Sequence, residues 1–62
     1  MTHEYDMKSM VTKIKALRRN AEALKEIAGD FPTVIKNCDR ILADVRMLEI
    51  NINDAAEILK KP

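Results

Sequence analysis

The residues that could do chemistry in this chain are few: His3, Cys38 and ten carboxylates. His3 stands beside Glu4 and Asp6, but no H-x-x-x-H, E-x-x-H or C-x-x-C spacing follows that would hold a metal ion. Cys38 lies on an apolar stripe and has no histidine near it to draw off its proton. It reads as a buried, inert thiol. The carboxylates Glu22, Glu26, Asp39, Asp44, Glu49, Asp54 and Glu57 fall almost entirely at outward positions. Arg40 with Asp44, Arg46 with Glu49 and Glu57 with Lys61 stand one turn apart, the pattern of a solvated helix face. A phosphate-cradling glycine loop and a nucleophile elbow are both missing, and the chain is too short to wall off a pocket. The expectation is no catalytic residue, no metal and no cofactor: not an enzyme.

The cations are distributed less evenly. Between Met7 and Ala28 stand Lys8, Lys13, Lys15, Arg18, Arg19 and Lys25 against only Glu22 and Glu26. A basic helix repeated by dimer symmetry can track phosphates, so Lys8, Lys15, Arg18, Arg19 and Lys25 are the contacts expected of an RNA-binding bundle. Against that reading, the net charge is only +1. The two aromatics, Tyr5 and Phe31, sit too far apart to form a stacking platform. Nucleic-acid binding is therefore the second reading. The first is a non-enzymatic structural or adaptor protein that binds other proteins through helix packing.

Two apolar stripes must position all of these residues. One runs through Met7, Met10, Ile14, Leu17, Ala21, Leu24 and Ala28, the other through Val34, Cys38, Ile41, Val45, Leu48, Ile52, Ala55 and Leu59. Both step alternately by three and four, the heptad rhythm of a coiled-coil seam. The stripes mirror each other about Phe31: Ala28 pairs with Val34, Leu24 with Cys38, Ala21 with Ile41, Leu17 with Val45, Ile14 with Leu48, Met10 with Ile52 and Met7 with Ala55. Each pair joins an a position to a d position, and large residues tend to face small ones. The fold class that follows is all-α, an antiparallel helical hairpin forming a single domain over residues 1–62.

The stretch A-G-D-F-P-T at 28–33 is its turn. Gly29 takes the left-handed conformation that ends a helix, Asp30 or Thr33 caps the next one, and Pro32 sits in its first turn. Phe31 is expected to fold back over Ala28 and Ile35. Thr2 is the expected cap of helix one, which runs over about 4–28. The turn covers 29–31 and helix two about 32–60, where Lys60, Lys61 and Pro62 close it. A break near Asn53 is the alternative raised by E-I-N-I-N-D, with Asp54 and Glu57 imitating a capping box. The heptad passes through that stretch uninterrupted, which favours a continuous helix.

A chain of 62 residues with a lone cysteine buries too little in one seam to be stable unaided. Further apolar residues collect at e positions, so Val11, Arg18, Lys25, Ile35, Leu42 and Ala56 are the expected interface of a homodimeric four-helix bundle. The alternatives are a marginal monomer and a fragment packing on a larger protein. Ala43, Met47 and Ile50 lie on the far side of helix two and form a small candidate patch for a protein partner. The single cysteine points to a reducing, cytoplasmic setting, and apolar runs of two or three residues exclude a membrane-spanning or secretory segment.

Overall fold

The computed structural model describes residues 6–60, with side-chain surroundings through Ala56. Two helices, α1 (Met7–Ile27) and α2 (Pro32–Lys60), pack against each other as a hairpin. There are no strands among the described residues.

Helix α1 begins at Met7, the first residue of its apolar stripe and three residues later than the expected start at about 4. Asp6 is extended (φ −97°, ψ 96°) and serves as the N-cap, its Oδ1 accepting from the Ser9 backbone N–H at 3.1 Å and its Oδ2 from the Ser9 hydroxyl at 2.8 Å. A carboxylate with two donors from one residue makes a better cap than a residue reached only by extending the helix through H-E-Y. Thr2, His3 and Glu4 lie outside the described residues.

At the other end Ala28 closes α1, its N–H donating to the Leu24 carbonyl at 2.9 Å. Gly29 then turns the chain with φ +60°. The Phe31 carbonyl accepts from Ile35 N–H at 3.0 Å, so Phe31 occupies the capping position of α2 and Pro32 its first helical one. Neither Asp30 nor Thr33 bonds to the helix start: Asp30 stands one residue too early, and Thr33 is already inside the helix. Phe31 remains 58% exposed, so it does not seal the turn end as expected. Helix α2 runs unbroken through Asn53, because the i to i−4 backbone ladder there meets no proline or glycine.

The hairpin is one helix-layer thick, 49 × 21 × 17 Å, with a radius of gyration of 14.8 Å. A compact chain of this length would measure about 11 Å. Among the described residues only Ala21, Cys38 and Val45 are fully buried, each at most 5% exposed. All three are a positions. The residues at d behave differently, and that difference defines the molecule's principal surface.

Candidate interaction face

The two helices meet along the line of a positions. Small side chains at Ala21 and Cys38 let the backbones approach there, and Val45 fills the space beside them. From this line the hairpin is rolled toward its e flank, where Val11, Ile35, Leu42 and Ala56 are half-buried. Two ion pairs cross the same flank. Arg18 grips Glu49 with both prongs of its guanidinium, Nε to Oε2 at 2.7 Å and Nη2 to Oε1 at 2.8 Å, while Nη1 reaches Glu22 at 3.4 Å. Lys25 Nζ pairs with Asp39 nearer the turn.

These partners sit further apart in level than the mirror rule alone would match. Helical side chains lean toward their own N-terminus, so on antiparallel helices Arg18 and Glu49 lean toward each other along the axis. The electrostatics follow. Hydrogen bonding to Arg18 holds the Glu49 carboxyl below the usual carboxylate range, and the same bonds raise the Arg18 guanidinium above its ordinary value. Hydrogen bonding to Asp39 likewise raises Lys25. Donation from the Ser9 backbone, then from its hydroxyl, lowers Asp6. Glu49 thus bonds across the hairpin, rather than to Arg46 on its own helix as the spacing suggests. Arg40 and Asp44 form no ion pair among the described residues.

The e flank is therefore engaged within the hairpin, and the d side stays open. Leu17, Leu24, Ile41 and Leu48, all expected in a closed seam, are 39–47% exposed along one face. Met10, Val34 and Ala55 continue that line and are half-buried, as are Met7, Ile14, Ala28 and Ile52 at a positions. Leu59 lies outside the described side chains. At the end away from the turn the helices leave a groove of about 660 Å³ floored by Met10, Ile14, Leu48, Ile52 and Ala55, with Lys13 and Asn51 on its rims. Its floor gathers Met10, Ile14, Leu48 and Ile52, residues of both stripes, on one side of the hairpin. At the turn end Ile27, a g residue beside the d line, is 81% exposed.

The sequence pattern could have pointed to Ile27, which continues the g line after Lys13 and Asn20, but its isolation among polar g residues hid it. Ala43, Met47 and Ile50 are all exposed, with Met47 on the side of α2 that borders the d face. Of the candidate phosphate contacts, Arg18 and Lys25 are committed to carboxylates, while Lys8, Lys15 and Arg19 are exposed. No group of three metal-ligating side chains occurs among the described residues. No described helix is long and apolar enough to cross a membrane. No family model, no curated protein and no solved structure matches this chain.

Proposed function

We propose that this chain is a small non-enzymatic structural or adaptor protein of the cytoplasm that acts by helix–helix packing, assembling as a homodimeric four-helix bundle. One observation carries the reading: four large aliphatic side chains of the heptad pattern, Leu17, Leu24, Ile41 and Leu48, lie half-exposed in a row on a hairpin with three fully buried residues among those described. A row of that kind on a one-layer fold is apolar surface awaiting a second layer. The pairing of Arg18 and Lys25 with carboxylates counts against the RNA-binding alternative, because it neutralises two of its five cations.

Sedimentation equilibrium across about a hundredfold dilution, with helicity recorded at each concentration, tests the proposal. Self-association should persist at high concentration, and helix content should fall together with it on dilution. A helical monomer at every concentration would refute it.

A further inference from the structure

We infer that the d face is the surface on which a second copy of this chain docks, with the two hairpins antiparallel, so that Ile27 of each copy enters the open-end groove of the other. The inference rests on the self-association proposed above and adds the face and the orientation.

The area comes first. The chain exposes 5486 Å², whereas a compact protein of its mass exposes about 4,100 Å². Burying half of that excess on each of two copies gives about 1,400 Å² of interface, within the range of stable, specific complexes. The excess cannot be removed by folding the hairpin further on itself, since α1 and α2 are already in contact along their a line.

The orientation follows from levels along the axis. In the mirror register each α1 residue lies level with the α2 residue that completes its pair about Phe31. The four half-exposed residues Leu17, Leu24, Ile41 and Leu48 then centre on the level of Arg19. A twofold axis through that centre brings Leu24 of one copy level with Ile14 and Leu48 of the other. It also carries Ile27 to the level of Val11, between Met10 and Ile14, where the groove is. The most exposed apolar side chain beside the face is thereby brought level with the open-end groove. With the turns at the same end, Ile27 would face Ile27 and groove would face groove. Two unfilled hollows would then stand opposite each other, an arrangement disfavoured because voids forfeit packing. A twofold axis also requires the same patch on both partners, which a face centred on its own apolar residues provides.

Spin labels at Asn20 or at Lys13, each in a Cys38→Ala background, read the arrangement directly. Asn20 stands one residue from the axis level and Lys13 six. The antiparallel dimer therefore separates the Asn20 pair by about 3 Å along the bundle and the Lys13 pair by about 18 Å. A parallel dimer gives both pairs the same axial level, and equal short distances would overturn the orientation. Leu17→Glu should weaken dimerisation at least about tenfold by burying a charge, while Leu42→Glu should weaken it less. The reverse order would return the interface to the e flank and overturn the assigned face. Because the label distances are read in folded dimers, they stand even where Leu17→Glu fails to fold. A wild-type chain that never dimerises sinks self-association itself. A dimer with the wrong distances sinks only the orientation assigned here.

Discussion

Gly29 and Val45 show how differently single residues act in so small a fold. Gly29 supplies a φ of +60°, and a methyl group added there would meet nothing within 4 Å. The whole cost of Gly29→Ala is therefore backbone strain, about 1–2 kcal/mol, and Gly29→Asn should recover part of it because asparagine tolerates the left-handed region. Val45, by contrast, is 2% exposed in the one tightly packed stretch. Val45→Ala removes two methyl groups from that stretch and should cost roughly 2 kcal/mol, by lost transfer energy plus a residual cavity. Urea denaturation of both variants at a fixed chain concentration checks these figures. Concentration must be held constant because an assembly's stability includes its association.

At the scale of the helices, ion pairs bridge the e flank of the hairpin. Glu49 has its carboxyl pKa lowered by Arg18, so the stability it contributes is fully present above its unfolded value of about 4.3 and is lost as pH falls through its lower folded value. Thermal unfolding should therefore be nearly flat from neutral pH down to about 5 and decline below about 4. In Glu49→Gln the decline should be shallower, leaving the part due to Asp6, whose pKa is lowered by Ser9. An unchanged acid limb in that variant would show that the fork at Arg18 adds nothing in solution. Much of this level was legible in the sequence. Heptad spacing located both helices, and Gly29 and Pro32 marked the turn between them. What the spacing hid was the roll. A heptad pattern says that a and d are both apolar, but not which of the two a single partner helix covers. The pairs that accompany the roll, Arg18 with Glu49 and Lys25 with Asp39, were equally hidden, because their reach along the axis depends on side-chain direction. Taking Thr2 as the cap places the start of α1 too early, whereas the apolar stripe begins at Met7 and Asp6 caps through its bonds to Ser9.

For the whole molecule, the near-balance of charge separates the two functional readings. The chain carries eleven basic and ten acidic residues, so two copies approach with almost no long-range field between them, and the proposed contact is aliphatic. Screening by salt should then alter the dimerisation constant by less than about threefold between 50 and 200 mM. Phosphate binding through Lys8, Lys15 and Arg19 behaves otherwise. Doubled in a dimer, those exposed cations make about six contacts, whose affinity falls roughly a thousandfold over the same interval through counterion release. Fluorescence anisotropy with a labelled RNA duplex, run beside sedimentation on the same samples, compares the two dependences. A dimer indifferent to salt, with no saturable RNA binding even at 50 mM, is the expected result. RNA affinity that falls steeply with salt and is lost in Lys15→Gln with Arg19→Gln would instead make the basic side of α1 the functional surface. The apolar face would then serve only to hold two such helices together.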